Sequence, residues 1–484
     1  MRKITYILSL LLIASSLSGF SQSTEKQPNI LFILVDDWGW TDLSSAGSKY
    51  YETPNIDKLA TQGLKFTQAY SVGPNCAPSR ASLMTGKYTP RHGIYTVGNS
   101  DRGESVDRKL IPIENNTVLN PSFTTIAEEL KNAGYHTGLI GKWQLGGKGK
   151  GADAHAQGFE HVIGGTGGTS SYFYPYNKEG KQSPHEGITA GPDGEYLTDR
   201  LTDEALKFIS DSKEKPFFLY LSYFAVHTPI EAKADIIKKY KAKKGDQYHN
   251  NPVYAAMIES ADQGIGRVLQ QLESLKLAEN TLVVFFSDNG GMGANTTQHP
   301  LRGSKGMLYE GGVRVPLIVK WPGKTKAGST TDTPVIGIDF YPTLLEVANI
   351  QKPLNSESDG QSFAPLLLQK TTPTRDIFWH FPAYLEGYKG DKRNKDVFRT
   401  RPTSTVRSGD FKLHEFYEDG RIELYNIKED IGETTDISEK NPAKTKELKE
   451  KLAAWRAKTN APIPTKLNPE FAQPATTKSV ILKN

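Results

Sequence analysis

Cys76, the only cysteine among 484 residues, cannot form an intrachain disulfide, so its worth lies in packing or in the chemistry of its side chain. It stands in Cys76-Ala77-Pro78-Ser79-Arg80, where Pro78 and Ser79 suit the opening of a helix running toward Thr85. Arg80 then lies about one turn beyond Cys76 on the same face, and the helix N-terminus favours negative charge at position 76. Asp36, Asp37, Asp288 and Asn289 are hard oxygen donors of the kind that hold Ca2+ or Mg2+. Adjacent acids repel without a counter-ion, and a divalent cation relieves that repulsion while adding Lewis acidity. A helix cap or turn explains Asp36-Asp37 taken alone. The recurrence of Ser287-Asp288-Asn289-Gly290 after a second apolar run favours the metal. Taken singly, Lys305 reads as a solvated loop cation and His227 as a satisfied strand-end histidine.

The elements that must position these groups show as apolar runs. Asn29 to Val35, Thr137 to Ile140, Phe217 to Tyr223, Thr281 to Phe286 and Val315 to Val319 are expected as buried strands. Phe123 to Ala133, Leu197 to Asp211, Val253 to Leu275 and Ile338 to Ala348 are expected as amphipathic helices. This alternation predicts an α/β sandwich around a largely parallel or mixed sheet. Asp36-Asp37, Lys142-Trp143-Gln144, His227 and Asp288-Asn289-Gly290 each follow one of these strands, so they should converge on one rim of the sheet. Gly146 to Gly151 and Gly164 to Gly168 are expected as loops near it. Beyond about Arg375 the pattern changes. Thr405 to Tyr417, the turn Glu418-Asp419-Gly420-Arg421 and Ile422 to Ile427 predict an antiparallel hairpin, and Pro442 to Ala457 a closing helix.

The N-terminus reads as an export signal over residues 1–21: Arg2 and Lys3, an apolar run from Ile4 to Ala14, and the small residues Gly19 and Ser21 before Gln22. The run is too short to span a membrane comfortably, and no Cys follows it to carry a lipid, so a soluble, secreted or periplasmic protein without a stable membrane anchor is expected. A net charge of +5, from 59 basic and 54 acidic residues, suits approach of a polyanion or a merely solvated surface. No basic helix or aromatic RNA-binding pattern accompanies it, so nucleic acid is not indicated. The expected division is a catalytic domain over 22–375 and a smaller subdomain over 376–484.

Cys76-Ala77-Pro78-Ser79-Arg80 resembles the maturation signature of the type I sulfatases, in which the Cys is oxidised to Cα-formylglycine, an aldehyde that hydrates to a geminal diol. Gly141-Lys142-Trp143-Gln144-Leu145-Gly146 is similar to the sulfatase segment Gly-Lys-Trp-His-Leu-Gly, with Gln144 in place of the His. Tyr223-Phe224-Ala225-Val226-His227-Thr228-Pro229 resembles the strand end that carries the family's sulfate-contacting His. Pro300-Leu301-Arg302-Gly303-Ser304-Lys305-Gly306, ahead of Tyr309 to Pro316, is similar to the stretch whose Lys binds sulfate beside the leaving group. The resemblance runs from Asn29 to about Pro322 and more weakly through the C-terminal hairpin.

It implies the alkaline phosphatase-like fold: a sandwich with a large mixed central sheet flanked by helices, plus a smaller C-terminal α+β subdomain with an antiparallel sheet. Residue 76 would complete a cation site with Asp36, Asp37, Asp288 and Asn289, and Arg80 would hold the formylglycine. Lys142 would touch sulfate and the diol. His227 and Lys305 would serve the leaving oxygen. Gln144 stands where the family has a His that takes a proton as sulfate is expelled, which an amide cannot do. A formylglycine-generating enzyme, reading Pro78 and Ser79 on the unfolded chain, is an implied partner. The expected substrate is a sulfated carbohydrate such as ulvan, carrageenan or a glycosaminoglycan. Candidate sugar contacts are Tyr95, His155, Tyr172, Tyr174, His299, His380, Tyr384 and Arg399. Foremost is Phe378-Trp379-His380-Phe381-Pro382, whose Trp and His suit stacking on a sugar or, equally, packing between domains. Two competing readings are a phosphonate or phosphodiester hydrolase of the same superfamily, and a non-catalytic polysaccharide-binding protein, the latter prompted by Gln144.

Overall fold

The structure, a computed structural model, describes residues 26–147, 149, 151–179, 183–351, 353–354, 357–387 and 396–472, so the export segment expected over 1–21 lies outside the described residues. In chain order, β1 (Asn29–Val35), β2 (Leu64–Tyr70), β3 (His136–Gly141), β4 (His161–Gly164), β5 (Phe217–Ser222), β6 (Thr281–Ser287), β7 (Arg314–Lys320), β8 (Ser329–Thr331) and β9 (Val335–Ile336) form one mixed sheet. The order across it is β4-β3-β5-β1-β6-β7-β2-β8, with β9 beside β2.

Every residue of β1 is buried, as a strand without a polar face requires when both faces of its sheet are covered. Alternation along the strand divides the core. Leu31, Ile33 and Val35 pack with helices Pro54–Gln62, Leu197–Asp211 and Pro252–Ser274, while Ile30, Phe32 and Leu34 pack with Cys76–Thr85, Ile126–Asn132 and Phe340–Val347. Each such side chain contributes roughly 1.5–3 kcal/mol by leaving water. The helix ends are set locally: Thr125 and Glu128 form a reciprocal capping box, and Asn251 caps the helix that opens with Pro252.

For the site, the decisive feature is that β3, β5, β1 and β6 are adjacent and mutually parallel. Their C-terminal ends therefore share one rim. No helix among the described residues is long and apolar enough to cross a membrane.

The C-terminal part differs in detail from the expected hairpin. The run Thr405 to Tyr417 is not one strand: it turns at Gly409, whose φ of 58 suits glycine, separating Thr403–Ser408 from Phe411–Phe416. With Ile377–Phe381 and Ile422–Asn426 these form a four-stranded antiparallel sheet, covered by helix Pro442–Thr459. Trp379 and His380 belong to its packing and not to a sugar site. Trp379 is 1% exposed, donates its indole N–H to the Ser71 carbonyl at 2.8 Å and meets Tyr70 edge-on. His380 is 2% exposed, with Nδ1 2.6 Å from Ser404 Oγ and Nε2 2.9 Å from the Pro462 carbonyl, so neither nitrogen is left for a ligand. Burial lowers its pKa to about 3.

Charge as well as apolar surface holds this sheet to the first. Glu310 is fully buried and receives Lys412 Nζ at 2.9 Å, Arg314 Nη1 at 3.2 Å and the Tyr70 hydroxyl at 2.9 Å. Burial opposes ionisation of Glu310, but Lys412 and Arg314 overcome it and hold the carboxyl below its ordinary value of 4.5. A lowered folded pKa adds stability that is present above 4.5 and lost as pH falls through the folded value. Replacing Glu310 by Gln should cost about 3 kcal/mol at neutral pH by taking a buried negative charge from Arg314 and from Lys412, which keeps only Glu433 at 3.3 Å. Chemical denaturation well below pH 4.5 should show the gap between the two proteins narrowing.

Candidate active site

β1 ends in Asp36 and Asp37, neither of which has exposed surface. Backbone pairing continues past the strand, with the Asp36 N–H donated to the Ala225 carbonyl at 2.9 Å and the Val226 N–H to the Asp36 carbonyl at 2.7 Å. Asp37 then takes a left-handed conformation, φ 63, which Asp tolerates better than most residues. Its N–H reaches Asp288 Oδ1 at 3.3 Å, joining the ends of β1 and β6.

Helix Cys76–Thr85 begins at Cys76 itself and delivers the thiol into this pair. Sγ lies 3.2 Å from Asp36 Oδ1 and 3.8 Å from Asp37 Oδ1. Burial, then the Asp36 carboxylate, push the thiol pKa well above its ordinary value. One turn on, Arg80 is 1% exposed and spans strand ends: Nε and Nη2 contact Asp288 Oδ2 at 2.9 and 2.8 Å, while Nη1 donates to Ser222 Oγ at 2.6 Å and the Lys142 carbonyl at 3.1 Å. Ser222 escaped the sequence reading. Its signal is only a hydroxyl at the end of a buried strand.

Lys142, with no exposed surface, places Nζ 2.6 Å from Asp36 Oδ2. Lys305 places Nζ 2.6 Å from Asp37 Oδ1. His227 directs Nε2 toward Asp37 Oδ2 at 3.8 Å while Nδ1 donates to the Thr228 carbonyl at 2.8 Å. Tyr172, expected among the sugar contacts, is buried instead under this loop, its hydroxyl 2.6 Å from the Phe224 carbonyl and 2.9 Å from that of His227. Burial and Lys305 lower the His227 pKa against the pull of Asp37. For Asp36, burial opposes ionisation, but Lys142, His227 and Arg80 hold its carboxyl well below the usual range. Burial and Asp36 push Asp288 upward, which is the mutual repulsion a bound cation relieves.

The residues fit a hard divalent cation. Ligand atoms of Asp36, Asp37, Cys76 and His227 lie within 4.8 Å of one another. Asn289 donates Nδ2 to Asp37 Oδ1 at 2.8 Å, and its Oδ1 is buried with no hydrogen-bond partner among the described residues. A buried carbonyl oxygen left without a donor costs free energy unless something electropositive meets it.

Gln144 follows β3 in a left-handed conformation, φ 65, beside Gly167, and its Oε1 is also buried without a partner among the described residues. Arg399 lies against Gly306, next to Lys305: a Cβ there would come 3.0 Å from Arg399 Cδ. Tyr384 is buried, its hydroxyl 2.6 Å from Glu418 Oε1 and 3.0 Å from the Leu110 N–H, and Tyr95 is buried edge-on to His380, so neither faces a ligand. His299 is exposed and stacks on Tyr248 with ring centroids 4.1 Å apart. His155 turns Nδ1 to the Phe159 carbonyl at 3.0 Å, and Tyr174 packs edge-on to Tyr176.

A mixed sheet between helix layers, with acids, lysines and a helix-borne residue 76 on the rim of its parallel strands, defines a hydrolase of the alkaline phosphatase-like superfamily. Residues 28–350 match the sulfatase family model, and residues 303–458 match the model for the C-terminal part of N-sulphoglucosamine sulphohydrolase. The chain is 37% identical to a sulfatase of Formosa agariphila, over 96% of this chain and 95% of that one. It is 31% identical to N-acetylgalactosamine-6-sulfatase of Homo sapiens, over 73% of this chain and 68% of that one. The crystal structure of Ps i-CgsB in complex with k-i-k-neocarrahexaose is similar with a TM-score of 0.75 and 29% identity, covering 93% of this chain and 94% of that one. The chain belongs to the type I sulfatase family and is a sulfuric ester hydrolase.

If Asn289 Oδ1 meets a cation, Ca2+ at a hundredfold excess over its Kd should stabilise the protein by about 2.7 kcal/mol. Asn289→Ala should lose more than half of the corresponding rise in Tm. An undiminished rise in a thermal-shift titration would remove Asn289 from the ligands.

Proposed function

We propose that the protein hydrolyses sulfate esters of a sulfated carbohydrate, with residue 76 matured to formylglycine and a divalent cation, Ca2+ or Mg2+, held by Asp36, Asp37, Asp288, Asn289 and residue 76. The observation that carries this reading is the placement of Cys76, at the first position of its helix, 3.2 Å from Asp36 with Lys142 and Lys305 on the two flanking carboxylates. When present, the cation supplies Lewis acidity and the hydrated aldehyde a nucleophilic oxygen.

The chain's own residues do the remainder. Lys142 and Lys305 bind the non-bridging sulfate oxygens, where negative charge must be neutralised in a site nearly closed to water. Arg80 keeps Asp288 oriented through its paired contacts at 2.9 and 2.8 Å. His227, fixed at Nδ1 by the Thr228 carbonyl, presents Nε2 on the more open side of the site and, as the imidazolium that Asp37 favours, gives its Nε2 proton to the departing sugar oxygen, with Lys305 beside it. Gln144 contributes hydrogen bonds and no proton transfer.

The carbohydrate class is supported by the neocarrahexaose bound to Ps i-CgsB and by the amino sugar in the name of the human relative. Arg399, which lies against Gly306, the residue after Lys305, is the proposed sugar contact from that side. A formylglycine-generating enzyme is the proposed partner in maturation, and export the proposed route.

Sulfate release from desalted carrageenan and glycosaminoglycan oligosaccharides tests the substrate class. Faster turnover of a phosphonate monoester would overturn it. Mass spectrometry of the peptide containing residue 76 should show formylglycine, and Cys76→Ala should lose turnover altogether. His227→Ala should slow release from a sugar sulfate about 100-fold or more. Para-nitrophenyl sulfate, whose leaving group needs no proton, should be slowed far less. Equal losses on both would exclude His227 as the acid.

A further inference from the structure

Asp42 is a fully buried carboxylate that takes no part in the mechanism above, yet its oxygens gather donors from segments that lead to reacting groups. Oδ2 accepts the Gly39 N–H at 3.1 Å and the Tyr254 hydroxyl at 2.7 Å. The same Tyr254 oxygen lies 3.3 Å from the carbonyl oxygen of Asp37. Oδ1 accepts the Thr296 hydroxyl at 2.8 Å, with His249 Nε2 at 3.5 Å. Both Asp42 oxygens are engaged by these donors, and Asp42 is not among the residues proposed above to hold the cation.

Thr296 sits in the irregular segment between β6 and Lys305, and such a segment positions a lysine only if it is tethered along its length. The tethers run to the turn Trp38 to Asp42. Besides Thr296, the Thr41 hydroxyl bonds the Thr297 carbonyl at 3.2 Å, and the Lys305 N–H closes back on the Gly291 carbonyl at 2.9 Å. The two segments meet closely enough that a Cβ on Gly291 would come 3.2 Å from Asp42 Oδ2 and 2.6 Å from Gln298 Nε2. On the other side Tyr254, near the start of helix Pro252–Ser274, gives its one hydroxyl proton to Asp42 and packs against the Asp37 carbonyl at 3.3 Å.

We propose that Asp42 is a positioning residue: it locks the segment carrying Lys305 against the turn carrying Asp37, and so sets the ammonium group relative to the carboxylate it contacts at 2.6 Å. The proposal rests on the reading of Lys305 as a sulfate contact. A carboxylate is needed because an amide would accept at one oxygen only and present N–H donors to Gly39 or Thr296, which themselves donate. The charge is confined to a point where every neighbour supplies a proton.

The test is a double-mutant cycle on the matured, cation-loaded enzyme, with inorganic sulfate as inhibitor and para-nitrophenyl sulfate as substrate. Asp42→Asn should lower kcat/KM by about tenfold to 100-fold. It should also weaken inhibition by sulfate about tenfold, with circular dichroism and the Tm transition showing a folded protein. Thr296→Val, which removes the donor to Asp42 on the Lys305 side together with the acceptor of the Tyr51 hydroxyl at 3.1 Å, should act in the same direction and covers the case in which Asp42→Asn does not fold. In a Lys305→Ala background either substitution should change kcat/KM by less than about threefold, because positioning a missing ammonium has no effect. A purely structural role would lower Tm but leave the sulfate inhibition constant alone. Folded variants with the wild-type inhibition constant, or losses that multiply with Lys305→Ala, overturn the proposal. Lys305→Ala with wild-type turnover overturns the site reading beneath it as well, so the two failures are distinguishable.

Discussion

Asp36, Asp37 and Asp288 are buried together, and that concentration of negative charge is the constraint on which the rest of the site depends. Carboxylates at this depth stay ionised only if cations or donors replace the water they have lost. Lys142 meets Asp36, Lys305 meets Asp37 and Arg80 meets Asp288, so each acid has its own cationic partner drawn from a different segment. Among the described residues these ion pairs leave Asn289 Oδ1 buried without a partner, and a carbonyl oxygen of that kind suits a hard cation. Compensation of charge and preparation for an oxyanion are thus one arrangement, since groups that neutralise buried carboxylates are also suited to neutralise sulfate.

The parallel sheet makes this arrangement affordable. Strands β3, β5, β1 and β6 end side by side, so residues far apart in the chain meet without long excursions, and the apolar strands beneath them set the rim rigidly. Arg80 ties three of those ends through Asp288, Ser222 and the Lys142 carbonyl. Lys305 is the exception. It arrives on an irregular segment after β6, and there the fold substitutes hydrogen bonds to Asp42 and its turn for the stiffness a strand would provide.

The C-terminal sheet is joined to the first by a second buried ionic cluster, Glu310 with Lys412 and Arg314, and by a shared apolar core that includes Tyr70 and Trp379. This docking explains the aromatic run Phe378 to Phe381: Trp379 fills the junction, His380 is held by Ser404 and Pro462, and the subdomain instead brings Arg399 against Gly306, the residue after Lys305.

How much of this was legible in the chain follows from how local each signal is. Strands buried on both faces, such as Asn29–Val35 and Thr281–Ser287, show as continuous apolar runs, and the polar groups just after them mark the rim whatever the rest of the fold does. The motif at Cys76 and the lysine segments are likewise written in contiguous residues. β2 was not legible, because Lys65, Thr67 and Gln68 break its apolar pattern and pairing with β7, β8 and β9 makes it a strand. The turn at Gly409, the burial of His380 and the partners of Arg80 were hidden for the same reason. Residue types and their spacing determined which chemistry this protein carries. Which cation meets which carboxylate, which aromatics pack into the core, and how Lys305 is held were decided by tertiary structure, because burial and pairing are properties of neighbours that sequence distance does not record.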